Sequence, residues 1–313
     1  MEDYMKNYLL TLSIALCMSN VQSVYANFPN AIPQGGPTVK EKNLRPNYSD
    51  VSYGNSSATQ TFDLYLPEGN RGSFPIVIYA HPGGFKFGDK TMAPYSIVHA
   101  LLAKGYAFAS VNYRLSVESK FPTAVQDFFK ASEFITDHAN QYKIDINKIY
   151  FFGESAGGNI VALAGLAANS PLFNKGKIKP GKYIFPKGVI TLYPPVDFSK
   201  IDEFKHAQGC NSSEAQPELT LEEQYIGGRL ADNLDKIRSS NPVTYITNSA
   251  PAFFIENGDQ DCNVGSEQSK LLFDALNKIN AKVYYYELEG AGHGGKQFET
   301  TENISKIIDF IEK

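Results

Sequence analysis

Ile149-Tyr150-Phe151-Phe152-Gly153-Glu154-Ser155-Ala156-Gly157 decides how this chain folds, because two different local patterns meet inside it. Ile149 to Phe152 is a short apolar run, as expected of a strand covered on both faces. Beyond Gly157, the run from Ile160 to Ala168 reads as a buried helix. A strand that turns directly into a helix brings backbone so close that the positions flanking the apex tolerate little more than hydrogen, and Gly153 and Gly157 occupy those positions. The apex residue is then Ser155, held in a strained conformation with its oxygen above the sheet edge. The N-terminus of the next helix aims unpaired N–H groups and its positive dipole end at the same spot.

Working outward, the same strand and helix patterns alternate along the chain. Further apolar runs are Phe62 to Leu66, Pro75 to Ala80, Tyr106 to Val111, Gly188 to Tyr193, Pro251 to Ile255 and Val283 to Leu288. Between them lie helix-period stripes such as Val125, Phe128, Phe129 and Ile135, and at the end Ile304, Ile307, Ile308 and Ile311. This alternation predicts an α/β fold with a mostly parallel central sheet flanked by helices. From about Asp197 to Asn241 the chain turns polar and irregular, and we expect a cap inserted over the C-terminal edge of the sheet, where open α/β sheets bind ligands.

A serine hydroxyl needs a base that can return the proton to the leaving group, and histidine does this near neutral pH. Of the five histidines, His99 and His138 fall in helical stretches and His206 in the expected cap. His293 stands in Gly290-Ala291-Gly292-His293-Gly294, just after the last strand, and is the expected base. A carboxylate must hold that imidazole in the correct tautomer. Asp259 and Asp261 both follow the Pro251 to Ile255 strand, and position leaves either open. The oxyanion that develops on an attacked carbonyl calls for N–H donors. Ala156 offers one, and Gly83 and Gly84 in His81-Pro82-Gly83-Gly84-Phe85 offer others; His81 reads as a brace for that loop.

Composition narrows the rest. The 313 residues carry a formal net charge of -4 with no run of Lys and Arg, which argues against nucleic-acid binding. The N-terminal segment, with Lys6, the apolar run Leu9 to Met18 and small residues at Val24 and Ala26, reads as a signal peptide. Its apolar run is far shorter than the roughly twenty residues that a membrane-crossing helix needs, so stable membrane insertion is not expected. Cleavage is expected after Ala26, leaving residues 27–313 as one catalytic domain in a secreted or periplasmic protein. Two cysteines then remain, Cys210 and Cys262, as a disulfide or as two separate thiols.

These residues resemble the α/β-hydrolase carboxylesterases of the hormone-sensitive-lipase type and their bacterial feruloyl-esterase-like relatives. The resemblance rests on His81-Pro82-Gly83-Gly84, Asn112-Tyr113-Arg114-Leu115, Phe121-Pro122 with Asp127, Gly153 to Gly157, Asn241-Pro242-Val243-Thr244, Asn257 to Asp261 with Val264, Gln268-Ser269 and Gly292-His293-Gly294. It implies that Asp261 is the acid, since the family's acid stands three residues after the glycine. Pro82 stands where the family has a glycine, and as proline lacks an N–H the hole must rely on Gly83, Gly84 and Ala156. Asn257 replaces a usual histidine. The implied activity is hydrolysis of small carboxylic esters, short-chain or aryl, including acetyl or feruloyl esters of polysaccharide, without metal or organic cofactor. An amidase or peptidase on the same triad is the competing enzyme reading, and a catalytically dead adhesion protein the competing non-enzyme one.

Overall fold

The computed structural model describes residues 38–40, 42–69, 72–174, 185–210 and 218–313. The segment read as a signal peptide, residues 1–26, lies outside the described residues. Eight strands form one sheet: β1 (Tyr48–Ser52), β2 (Thr61–Tyr65), β3 (Phe74–Ala80), β4 (Ala107–Val111), β5 (Ile144–Glu154), β6 (Gly188–Leu192), β7 (Ala252–Gly258) and β8 (Val283–Leu288). Their order across the sheet is β1-β2-β4-β3-β5-β6-β7-β8. Only the β1–β2 and β2–β4 pairs are antiparallel, and every later pair is parallel. Each of the seven apolar runs read from sequence falls on a strand. β1 had no such signature, because an antiparallel edge strand leaves most of its residues partly or fully exposed.

Helices cover both faces. α1 (Tyr95–Ala103), α2 (Thr123–Asp137) and α3 (Ala156–Leu166) precede a polar interval that carries α4 (Ile201–Ala207), α5 (Leu221–Ile226) and α6 (Leu234–Ser240). α7 (Glu267–Lys278) and α8 (Thr301–Glu312) follow. One face of the sheet packs against Val125, Phe128 and Phe129 of α2, Ile160 and Leu163 of α3, and Leu272 and Leu276 of α7. The other face packs against Ile97, Val98 and Leu101 of α1 and Ile307, Ile308 and Ile311 of α8. Each such side chain contributes about 1.5–3 kcal/mol on leaving water, and the two layers together hold the strand ends at β3, β5, β7 and β8 in fixed relation.

The interval 197–241 is held differently. Its helices are short, and α5 is closed by a capping box between Thr220 and Glu223 at its start and by Gly227 at its end. Tyr225 of α5 stacks on Phe85, with ring centroids 3.9 Å apart and planes 5° from parallel, and meets Phe121 and Phe198 edge-on. At the other end of the interval, Gln208 donates from Nε2 to the carbonyl of Asp259 and accepts at Oε1 from the N–H of Ser266. A disulfide joins Cys210 to Cys262, with Cα atoms 5.5 Å apart. The interval thus touches both the loop after β3 and the loop after β7.

Candidate active site

β5 runs straight into α3, and Ser155 occupies the junction with φ 50° and ψ −121°, a conformation L-residues rarely adopt. The crowding inferred from sequence is present in the backbone. A Cβ on Gly157 would lie 2.0 Å from the carbonyl oxygen of Ala80, and one on Gly153 would lie 2.3 Å from that of Gly157. Neither position accepts a side chain. The Ser155 N–H donates to the carbonyl of Leu192 at 2.9 Å, which fixes the turn to β6.

His293 Nε2 lies 2.8 Å from Ser155 Oγ, and His293 Nδ1 lies 2.7 Å from Asp261 Oδ2. Three separate turns, after β5, β7 and β8, therefore meet above the sheet edge. Asp261 is fully buried, and its Oδ1 accepts from the N–H groups of Asn263 at 2.9 Å and Val264 at 3.2 Å. Burial alone would raise its pKa, but the neighbouring imidazole and these hydrogen bonds outweigh it and hold the carboxyl below its ordinary value. Asp259, left open by position alone, faces elsewhere and accepts from the N–H of Gly290 at 2.7 Å.

The loop after β3 brings its glycines to the same edge. Gly83 has φ 126° and Gly84 φ 58°, and even Phe85 takes φ 61°. Their N–H groups have no acceptor among the described residues, and the Ala156 N–H opens a helix, where no intrahelical acceptor exists. A Cβ on Gly84 would meet Leu221 of α5 at 2.4 Å, so the polar interval packs directly on this loop.

His81 lies under the loop rather than in the reaction centre. Its Nδ1 donates to the Pro82 carbonyl at 2.8 Å, and its ring stacks on Tyr113 at 4.3 Å. Burial pushes its pKa down to about 4, so it stays neutral. Tyr113 in turn donates its hydroxyl to the His81 carbonyl at 2.8 Å. The next residue, Arg114, makes a two-pronged ion pair with buried Asp127 at 2.8 and 2.7 Å. Tyr113 thus ties the start of the glycine loop to a segment that Arg114 anchors on Asp127. Of the other histidines, His99 and His206 are exposed, and His138 stacks on Phe134.

Sequence reading missed a second set of polar groups beside Ser155 and His293. Glu154, immediately before the serine, is buried and accepts from the hydroxyls of Tyr79 and Tyr193. Burial pushes its pKa up to about 7 despite both donors. A charged residue two positions after the apolar run Ile149 to Phe152 was the available signal.

A family model, BD-FAE, matches residues 62–276, more than half of the chain. The chain belongs to the BD-FAE family. The matched part includes Ser155, Asp261 and the glycine loop and stops before His293. Among curated relatives, Esterase LipC of Mycobacterium tuberculosis is 27% identical over 222 residues, covering 70% of this chain and 53% of LipC. Isoprenylcysteine alpha-carbonyl methylesterase ICME of Arabidopsis thaliana is 26% identical over 82% of this chain and 61% of its own. The chain spans little more than half the length of the first such relatives. Among solved structures, a "Bifunctional GH43-CE" of Bacteroides eggerthii superposes with a TM-score of 0.75 and 27% identity, covering 85% of this chain and 37% of that one. A truncated carbohydrate esterase from gut microbiota gives a TM-score of 0.75 at 25% identity, covering 85% of this chain and 94% of that one. With these likenesses and its mostly parallel sheet, the BD-FAE chain has the α/β-hydrolase fold.

Proposed function

We propose that this chain is a carboxylesterase that works through a serine-bound acyl intermediate. The observation that carries the reading is the unbroken hydrogen-bonded line from Ser155 Oγ through His293 to buried Asp261. Ser155 Oγ attacks the ester carbonyl while its proton passes to His293 Nε2, and the oxyanion is met by the N–H groups of Ala156, Gly83 and Gly84. The imidazolium returns that proton to the departing alkoxide. Water then attacks the acyl group by the same route, releasing the acid and restoring the serine hydroxyl. The ionised Asp261 holds the Nδ1–H tautomer throughout.

The two carbohydrate-esterase likenesses support short acyl or aryl esters of polysaccharide as the substrate class, with simple soluble esters also accepted. Export after cleavage at Ala26 belongs to the same reading, and the Cys210–Cys262 bridge supports it because disulfides persist in oxidising compartments. Hydrolysis of p-nitrophenyl acetate, longer aryl esters, an acetanilide, acetylated xylan and methyl ferulate tests the proposal. The wild type is expected to cleave the esters and not the anilide, and Ser155→Ala to lose on the order of 10⁴-fold or more. Activity surviving in Ser155→Ala, or preference for the anilide, overturns it.

A further inference from the structure

The serine, histidine and acid account for the chemistry, yet they leave unexplained why a carboxylate is buried next to the nucleophile. Glu154 Oε1 accepts from Tyr193 Oη at 2.5 Å, and Oε2 accepts from Tyr79 Oη. Tyr79 reaches in from the end of β3 and Tyr193 from the turn just past β6. All three side chains are buried. Removing a carboxylate from water is costly, and two hydroxyl donors offset only part of that cost.

Tyr193 is itself over-determined. Its φ is 41°, in the left-handed region, and its N–H donates to the Glu256 carbonyl at 2.7 Å. Such backbone persists only where surrounding contacts enforce it. Its ring meets His293 edge-on with centroids 4.8 Å apart and planes 61° apart, and packs on Phe298 at 4.7 Å. His293 stands in a glycine-rich loop, with Gly294 at φ 86° and Gly295 at φ 115°. Such a loop does little to orient a ring. The imidazole is held by its two nitrogen contacts and by this tyrosine wall.

We propose that Tyr193, pinned through its hydroxyl by Glu154, is a positioning residue for the His293 imidazole. This inference rests on the serine-esterase reading. With the hydroxyl tied down, the tyrosine ring cannot swing away from the imidazole, so the ring that must lie within reach of Ser155 Oγ is held for proton transfer before substrate arrives. Glu154 adds an electrostatic effect. The titratable groups around it are Tyr79, Tyr193, Glu299 and His293. When ionised, its charge favours the imidazolium that forms as the serine attacks.

The test compares Tyr193→Phe and Glu154→Gln with wild type on p-nitrophenyl acetate, with rates expressed per serine titrated by a fluorophosphonate. Tyr193→Phe keeps the ring and loses the anchor, so kcat should fall about tenfold while KM stays within about twofold. Glu154→Gln keeps the shape and removes the charge, so the acid limb of kcat/KM should move to lower pH by about half a unit. A merely structural trio would lower Tm and leave kcat per titrated serine and the pH limb unchanged, and that result overturns the inference. Should Glu154→Gln fail to fold, Tyr193→Phe decides alone, because loss of one oxygen preserves the packing. Ser155→Ala separates the two levels. If it stays active the esterase reading falls, and if it is dead while both variants behave as wild type, only the positioning role falls.

Discussion

The C-terminal edge of the sheet and the interval 197–241 lie against each other, yet they are built on opposite plans. At the sheet edge, Ser155, Asp261 and His293 stand on turns that follow β5, β7 and β8, each strand packed on both faces by helices. Their positions follow from the register of parallel strands. The interval 197–241 has short helices and is fastened at discrete points: the Phe85–Tyr225 stack, Leu221 on Gly84, Gln208 on the acid loop and the Cys210–Cys262 bridge. The first region should therefore fail in chemistry while keeping its fold, and the second should fail in stability while keeping much of its chemistry.

The sharpest way to break this contrast lies in the acid loop. Asp261→Asn leaves a side chain of the same shape but presents the wrong hydrogen-bond partner to His293 Nδ1, and kcat should fall by about 10³- to 10⁴-fold. Asp259→Asn keeps an amide oxygen that can still accept from the Gly290 N–H and should cost less than about tenfold. Both are expected to unfold within a few degrees of wild type. If Asp259→Asn is the inactive one, the loop after β7 holds His293 in another way.

The two regions also differ in how far they could be read from residues. The strands and the Gly153 to Gly157 turn were legible because apolar runs and steric crowding act locally. Asp261 was legible only through the family resemblance, since its distinction from Asp259 depends on N–H groups of Asn263 and Val264 that curl back onto it. Glu154, Tyr79 and Tyr193 were not read together because they meet only when β3, β5 and β6 are side by side. β1 was missed because half-exposed edge strands lack an apolar run. The docking of α5 on Phe85 joins residues far apart in sequence, with no periodic signal to announce it.

A gentler probe is reduction of the disulfide, which closes a loop spanning 52 positions. The chain-entropy account gives such a bridge about 4 kcal/mol, equivalent to roughly 7 °C in Tm for a domain of this size. Differential scanning fluorimetry with and without a phosphine reductant should show that drop, while kcat on p-nitrophenyl acetate at 25 °C stays within about threefold. A matching collapse of activity would mean that the bridge holds Asp261 itself, and the two plans would merge.

The smallest expected effect concerns Glu256, which lies in mid-sheet between Leu192 of β6 and Tyr286 of β8. It is fully buried, and neither carboxylate oxygen has a hydrogen-bond partner among the described residues. Burial pushes its pKa up to about 8, only partly opposed by Lys306. In the unfolded chain the same group releases its proton near 4.3. Between these values the folded protein holds a proton that the unfolded chain has lost, so the contribution of Glu256 to stability is full below about pH 4.3 and declines as pH rises to about 8. Glu154, raised to about 7 by burial, acts in the same direction. A glutamine at this position has the same shape and no proton to lose, so the Tm of Glu256→Gln should fall less than that of wild type between pH 5 and 8, by roughly 5 °C over the interval. Comparing slopes rather than single temperatures removes any constant offset from the amide. Parallel slopes would show that Glu256 ionises freely in the fold, through water or a shift of Lys306, and that this part of the sheet is less dry than its packing implies.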